Sequence, residues 1–197
     1  MQTRCRIKKF TCLFVFFVLL LSAINSQEEN NSSGAFAVNA YFSNYFPVSA
    51  WSDYVILSLG GGGGVEYALP LELGAADLGV QLKSEYAFVV PRDGQVNAFS
   101  DITVMPGVFV NLPFAFENVE MSFHPELAYG VDFHIIKTGG KQNVYIDQLV
   151  YVALPVRFAL PALDMFELEL APAYTFLFEK QGTFVQTGYR AGLVWRF

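Results

Sequence analysis

Most of the chain consists of stretches of about a dozen residues in which polar and apolar side chains alternate. The clearest is FELELAPAYTFLFE, from Phe166 to Glu179. If this stretch is a strand, its Phe, Leu and Tyr side chains lie on one face and its Glu, Ala and Thr side chains on the other. Similar stretches run from Leu78 to Val90 and from Val119 to Ile136. Successive side chains of a β-strand point to opposite faces, whereas a helix would distribute these charges around its circumference. The pattern predicts an all-β fold whose strands each have one charged and one strongly apolar face.

The N-terminal segment has the parts of a secretory signal peptide. Four basic residues precede the unbroken apolar run from Leu13 to Leu21, and small residues follow it. This run is shorter than the ~20 residues that a membrane-spanning helix needs. We therefore expect a cleaved signal peptide over residues 1–26, a polar spacer over residues 27–33 and a folded domain over residues 34–197.

Export changes the composition of the mature chain. Both cysteines, Cys5 and Cys12, lie in the leader, so neither a disulfide framework nor a thiolate metal site is expected. Four of the 12 Lys and Arg residues lie in the leader and are lost when it is cleaved. The mature chain then has eight basic and 18 acidic residues, and its net charge is near −10. A charge of this sign disfavours nucleic acid as a partner.

Two kinds of connector alternate between the stretches. One kind contains a Leu-Pro pair, and the other is polar, as in PRDGQVNAFSD, KTGGKQNVYID and EKQGTF. Seven strands fit between Val55 and Phe197, and Gly34–Ser43 supplies an eighth. Eight antiparallel strands can close without an open edge, which a bilayer requires because unpaired backbone groups there are costly. The sequence thus predicts an eight-stranded antiparallel transmembrane β-barrel.

The apolar face is predicted to contact hydrocarbon. In a soluble barrel such as a lipocalin the apolar face would be inside, but the interior of a narrow eight-stranded barrel could not hold this many Phe, Tyr, Val and Leu side chains. Hydrophobic residues make up 53% of the sequence, with 20 Phe, and past the leader no apolar run has the length of a membrane helix. Strands that face lipid account for this surface.

The last strand, TGYRAGLVWRF, ends in an aromatic pattern formed by Tyr189, Leu193, Trp195 and Phe197. It resembles the assembly signal of bacterial outer-membrane β-barrel proteins, and the chain as a whole resembles their small eight-stranded class (the OmpA membrane domain, OmpX and OmpW). This resemblance implies localisation in the bacterial outer membrane, with outer-membrane lipid and the barrel-assembly machinery as partners. It also implies Leu-Pro turns on the periplasmic side and polar loops outside.

The charged face is predicted to form an ion-pair network inside the lumen, because a buried charge that lacks a partner costs about 3–5 kcal/mol. Arg157 and Arg190 are expected to lie between acids of neighbouring strands. Such a network would plug a narrow barrel, although a selective polar path for a solute is the alternative. The predicted members are Glu66, Lys83, Glu85, Glu120, Glu126, Asp132, Arg157, Glu167, Glu169 and Arg190.

The run Gly60–Gly64 is predicted to provide space in the barrel interior. A phosphate-binding loop would continue with Lys and Ser or Thr, whereas Val65 and Glu66 follow here. On a strand, Gly60, Gly62 and Gly64 would face inward and leave room for long side chains from other strands. The same alternation predicts that Ile56 faces inward and Val55 faces lipid.

No metal, cofactor or enzymatic activity is predicted. His124 and His134 share one strand face, but ten residues of extended strand separate them by about 33 Å. His124 is instead expected to form a hydrogen bond with Glu126. Ser122, His124 and Glu126 contain the residue types of outer-membrane deacylases, but in reversed order and on the lumen side.

Two functions follow from this interpretation. The first is passive, porin-like transport of small solutes, hydrophobic ones included, through a pocket that the OmpW-like resemblance implies; Met105, Phe109, Val110 and Ala87 would form its less polar walls. The second is a non-enzymatic barrel with a plugged lumen, either envelope-stabilising or surface-exposed and adhesin-like.

Overall fold

The computed structural model describes residues 35–48, 50–71, 74–92, 98–116, 119–160, 163, 165–179 and 182–197. The predicted signal peptide (1–26) and polar spacer (27–33) lie outside these residues, so their division stays a prediction.

The described residues form ten strands and one short 3-10 helix, Ala50–Asp53. The strands are β1 (Phe36–Pro47), β2 (Val55–Ala68), β3 (Asp77–Pro91), β4 (Ala98–Phe116), β5 (Val119–Phe123), β6 (Glu126–Thr138), β7 (Lys141–Ala153), β8 (Val156–Ala159), β9 (Phe166–Glu179) and β10 (Gly182–Arg196). Among the described residues, no helix has the length and apolar character to cross a membrane.

The strands close into a ring of eight. Each pairs with its neighbours in antiparallel fashion, and β10 pairs with both β9 and β1. Strands β5 and β6 both pair with β4, and β7 and β8 both pair with β9, so each couple occupies one position in the ring. The breaks fall at Pro125 and Pro155, which have no N–H to donate. The predicted eight-stranded antiparallel barrel is confirmed, with two of its strands interrupted.

Several boundaries differ from the prediction because strands continue into segments predicted as connectors. The first strand ends at Pro47 rather than Ser43, and Pro113 lies inside β4. In KTGGKQNVYID, the chain reverses at Gly139 and Gly140, whose φ angles are +57° and +80°. This two-residue Gly-Gly turn suits a tight hairpin, and it lets β6 and β7 continue on either side of it.

The barrel wall has the reverse of the polarity of a water-soluble protein. In β3, Gln81, Lys83 and Glu85 are buried, while the alternate residues Tyr86 and Phe88 are about half exposed, at 54% and 47%. Buried Lys, Arg and Glu are rare unless they are paired. The prediction that the charged face is inside and the apolar face outside is confirmed.

The predicted alternation fails at the start of β2. Val55 is buried and Ile56 is exposed, the opposite of the prediction. The pairing of β2 with β3 shifts register between Val55 and Leu57, and an extra residue of this kind exchanges the two faces of a strand.

Candidate functional site

Six charged side chains from six strands meet inside the barrel, and we call them the ion-pair plug. Three are acids and three are bases, and each is at most 3% exposed. Its members are Glu66 (β2), Lys83 (β3), Glu126 (β6), Arg157 (β8), Glu169 (β9) and Arg190 (β10).

The two arginines are bridged by a single carboxylate. Arg157 Nε donates to Glu169 Oε2 at 2.9 Å, and Arg190 Nε donates to Glu169 Oε1 at 2.9 Å. On its other side, the Arg157 guanidinium donates two hydrogen bonds to Glu66, at 2.8 and 2.9 Å. Arg190 likewise reaches Glu126, with Nη2 2.8 Å from Oε1.

Lys83 closes the plug into a ring of alternating charge. Its Nζ lies 2.6 Å from Glu126 Oε1 and 3.6 Å from Glu66 Oε1. Every cation therefore lies between two anions, and the six formal charges cancel. A buried set of this kind avoids the uncompensated charge that makes a broken pair destabilising.

Aromatic and hydroxyl groups surround the plug. The Arg190 guanidinium lies over the Tyr41 ring, 4.7 Å from its centroid, and Arg190 Nη1 donates to the Tyr151 hydroxyl at 2.8 Å. Glu85, predicted as a network member, accepts hydrogen bonds from Ser43 at 2.8 Å and Tyr45 at 3.3 Å. Hydroxyl groups rather than a cation are therefore its hydrogen-bond donors.

The glycines of β2 leave space for this packing, as predicted. A Cβ atom added to Gly62 would lie 2.8 Å from Cζ of Tyr41, and one added to Gly64 would lie 2.6 Å from Cγ of Lys83. Both distances are shorter than van der Waals contact. The outward-facing Gly61 is less crowded, with its nearest atom at 3.4 Å.

A second polar group, which we call the acid–histidine cluster, lies near the polar connectors. It consists of Asp101 (β4), Asp132 and His134 (β6), Asp147 (β7) and Glu179 (β9). His134 Nδ1 lies 2.7 Å from Asp101 Oδ1, while its Nε2 lies 3.6 Å from Asp147 Oδ2 and 3.9 Å from Asp132 Oδ2. Asp132, predicted to join one common network, lies here and not in the plug.

Two predicted network members lie apart from both groups. Glu120, the second residue of β5, is exposed and forms no ion pair within the part of the chain that the structure describes. Glu167, the second residue of β9, pairs with Arg196 at 3.0 Å, in a contact where the arginine side chain is 38% exposed. The prediction that they join the buried network is wrong, because strand ends lie at the open rim of the lumen.

The deacylase-like residues do not form a relay. His124 Nδ1 lies 3.3 Å from Asn111 Oδ1, its ring stacks on Phe109 at 4.4 Å, and its Nε2 is 3.5 Å from Glu66 Oε2. The expected hydrogen bond to Glu126 is therefore replaced by contacts to other strands. Ser122 Oγ has no hydrogen-bond partner among the described residues.

Sequence reasoning missed Asp101 and Asp147. Both fall in segments predicted as polar connectors, although each continues the alternation of its strand. Phe99 and Asp101 are buried on either side of Ser100, and Asp147 precedes the buried Leu149 by two residues. Extending the period-two pattern into these segments would have found both acids.

The C-terminal aromatic pattern lies on the outer face. Tyr189, Leu193, Trp195 and Phe197 are all exposed, and Trp195 lies between Phe166, at 5.8 Å, and Phe197, at 4.4 Å. Recognition of these residues by an assembly machinery stays a prediction.

Of the four residues predicted to line a less polar pocket, three are inside. Met105, Phe109 and Ala87 are buried, whereas Val110 lies on the opposite face of β4 from Phe109. Adjacent residues of one strand cannot both face the lumen.

No protein-family model and no curated protein sequence matches the chain. Among solved structures, the chain is similar to Neisserial surface protein A, with a TM-score of 0.59 and 13% identity over 84% of this chain and 100% of that one. It is also similar to a major outer membrane protein from Thermus thermophilus, with a TM-score of 0.53 and 15% identity over the same shares of the two chains. At these identities the likeness concerns the fold, which is that of the small outer-membrane β-barrels.

Proposed function

We propose that this chain is a non-conducting β-barrel of the bacterial outer membrane. It has the fold of the small eight-stranded outer-membrane barrels, and it acts through its outer wall and its exposed loops. The observation that carries the proposal is the burial of the plug. The side chains of Arg157 and Arg190 are 2% and 0% exposed, so the plug leaves almost none of their surface to water.

The lumen between the plug and the polar connectors is also filled. Leu149, Leu177 and Val89 are at most 1% exposed, and they pack with Met105 and Tyr151 in one apolar cluster. A continuous aqueous path would wet some of these side chains. This packing disfavours passive solute uptake through the lumen, the first of the two functions that the sequence suggested.

Planar-bilayer conductance tests the proposal. The wild-type barrel is expected to give no discrete conductance steps. A variant with Arg190→Ser and Glu126→Ser removes one cation and one anion, so it keeps the charge balance of the plug while it shortens two side chains, and it is expected to conduct. The matched control, Arg196→Ser with Glu167→Ser, removes an ion pair in which the arginine side chain is 38% exposed, and it should stay silent. Discrete steps in the wild-type protein would favour uptake instead.

One surface feature supports a contact role for the loops. The last residues of β6 and the first of β7 form a hairpin that extends past β9, because β9 pairs with β7 only from Gln148 onward. Val144, Tyr145 and Ile146 are consecutive and all more than half exposed, so both faces of this hairpin present apolar side chains.

Two phenotypes separate the envelope-stabilising form of the proposal from the adhesin-like one. Replacement of Val144, Tyr145 and Ile146 by Ser should lower the adherence of expressing bacteria if the hairpin makes surface contacts. Loss of the whole protein, but not this hairpin variant, should raise outer-membrane permeability to detergent if the barrel stabilises the envelope. If neither adherence nor permeability changes on loss of the protein, the proposed function is wrong in both forms.

A further inference from the structure

The acid–histidine cluster differs from the plug in its charge. Four carboxylates surround one imidazole, and within the described ranges no Lys or Arg lies within 4.0 Å of Asp101, Asp132 or Asp147. Carboxylates buried at close range without a cation are unfavourable, because the interior screens their repulsion poorly.

The strand register puts two acids directly opposite each other, Asp132 of β6 and Asp147 of β7. On the other side of β6, His134 lies opposite Asp101 of β4. Like charges at directly opposed positions of a sheet destabilise the pairing. A cation bound between them converts this repulsion into attraction.

Asp132 supplies an independent indication of a ligand. It is 3% exposed, and its Oδ1 atom has no hydrogen-bond partner among the residues that the structure describes. Most buried polar atoms in proteins are hydrogen-bonded, so an exception calls for a cause. Its other oxygen, Oδ2, lies 3.9 Å from His134 Nε2.

His134 has the orientation of a metal ligand. Its Nδ1 lies 2.7 Å from Asp101 Oδ1, and when Nδ1–H is the donor of this hydrogen bond the Nε2 lone pair is directed toward Asp132 and Asp147. A carboxylate that holds the far nitrogen of a metal-binding histidine in this way is a recurrent arrangement, and it raises the basicity of the ligand.

The distances suit a single ion. Zn²⁺ lies about 2.0–2.2 Å from nitrogen and oxygen ligands, so two ligand atoms of one ion are at most about 4.4 Å apart. The separations of His134 Nε2 from Asp147 Oδ2 and Asp132 Oδ2, 3.6 and 3.9 Å, fall within that limit. Glu179 contributes an oxygen to the same region, because ligand atoms of His134, Asp147 and Glu179 lie within 4.8 Å of one another.

We infer that His134 Nε2 and the carboxylates of Asp147 and Glu179 bind one divalent transition-metal ion at the polar-connector end of the lumen, with Asp132 beside the site, 3.9 Å from Nε2, and Asp101 as the residue that orients the imidazole. Imidazole together with carboxylate suits zinc-like ions better than Ca²⁺ or Mg²⁺, which prefer oxygen ligands alone. Asp147, with its side chain 18% exposed, gives the ion a route from the polar-connector end.

The plug contains a natural control. Ligand atoms of Glu66, His124 and Glu126 also lie within 4.8 Å of one another. Both carboxylates, however, are already paired with Arg157, Arg190 or Lys83, and the His124 ring is stacked on Phe109. The inference therefore predicts that His134 and not His124 controls metal binding, and it does not depend on the function proposed above.

Isothermal titration calorimetry with Zn²⁺ tests the inference. The detergent-solubilised barrel is first stripped of metal with EDTA and dialysed. We expect one Zn²⁺ per chain. His134→Gln and Asp147→Asn should each weaken binding at least tenfold, and Asp101→Asn about 10–100-fold, as for other residues that orient a ligand. His124→Gln should leave the affinity unchanged. Heat-modifiable migration on gels verifies that each variant is folded, and the visible absorption of bound Co²⁺ reports whether nitrogen coordinates the ion.

The inference is overturned by any of three results. The first is that the folded wild-type barrel does not bind Zn²⁺ below millimolar concentration. The second is that the His134→Gln variant binds Zn²⁺ as tightly as the His124→Gln variant does. The third is that Ca²⁺ binds as tightly as Zn²⁺ and that His134→Gln does not change the affinity for Ca²⁺. The last result would identify a carboxylate-only site. If Asp147→Asn fails to fold, Glu179→Gln, whose residue lies at the end of β9, takes its place.

Discussion

At the Leu-Pro end of the lumen, three acids and three bases form a closed ring, whereas near the polar connectors four acids surround one histidine. Both groups lie inside one barrel and are built from residues on alternate positions of strands, although Asp147 and Glu179 of the cluster are only half-buried. They differ in their cations, because arginine and lysine side chains enter the plug, whereas among the described residues no Lys or Arg lies within 4.0 Å of Asp101, Asp132 or Asp147. Burial of charge is thus compensated within the chain at one end, and at the other end it leaves a binding site for a cation.

This comparison predicts its largest effect for the loss of a plug cation. Arg190→Met removes the hydrogen bonds to Glu126 and Glu169 and leaves both acids short of positive charge, so we expect the free energy of unfolding to fall by about 3–5 kcal/mol. Urea unfolding of the barrel in detergent micelles, followed by tryptophan fluorescence, measures the change.

Arg196→Met is the matched control for this variant. Arg196 lies on the same strand and also pairs with a glutamate, but its side chain is 38% exposed, so we expect a loss below about 1 kcal/mol. Equal losses in the two variants would mean that burial does not distinguish the plug from a rim ion pair.

A smaller effect is expected from the glycines that make room for the plug. Gly64→Ala would bring a methyl group against Lys83 Cγ and the Leu82 carbonyl, and overpacking of this kind costs about 1–3 kcal/mol. Gly61→Ala, on the outer face of the same strand, should change stability by less than about 0.5 kcal/mol. The same unfolding assay compares them, and a Gly64→Ala barrel as stable as Gly61→Ala would contradict a spatial role for the inward glycines.

The smallest effect has the opposite sign. In the presence of EDTA, Asp132→Asn removes one of two directly opposed carboxylates, so we expect the barrel to gain about 0.2–1 kcal/mol. Glu126→Gln, the matching change in the plug, should instead destabilise it. Unfolding midpoints of both variants at one pH make the comparison, and a loss of stability with Asp132→Asn would mean that this carboxylate is compensated within the fold.

The fold could be predicted because its signal is local and repeated. Each strand carries the period of two in its own residues, as in Gln81, Lys83 and Glu85, and the eight stretches together require closure. The predicted strand faces and strand ends were wrong where a single bulge or tight turn interrupts the alternation. The bulge near Val55 exchanges the faces of a strand end, and the Gly139-Gly140 turn is short enough that polar residues beside it belong to strands rather than to a loop.

The site was predicted only as a set of residues. Which acid meets which base depends on strand register, and the contacts of the plug join residues as distant as Glu66 and Arg157, 91 positions apart. The missing members, Asp101 and Asp147, looked like loop residues because the polar character of a hairpin end resembles that of a connector. Their partnership with His134 arises only when β4, β6 and β7 align.

By itself, the sequence determined which residues face the lumen along the regular part of each strand, because successive side chains point to opposite faces, but not where a bulge exchanges the faces, as at Val55 and Ile56. It also indicated the number of strands in the ring, since eight alternating stretches can be counted along the chain and a closed ring leaves no strand edge in the bilayer. Only the tertiary structure decided that the charges divide into a neutral ring and an acidic cluster with one histidine. That division depends on the relative register of strands far apart in the chain, which no local pattern encodes.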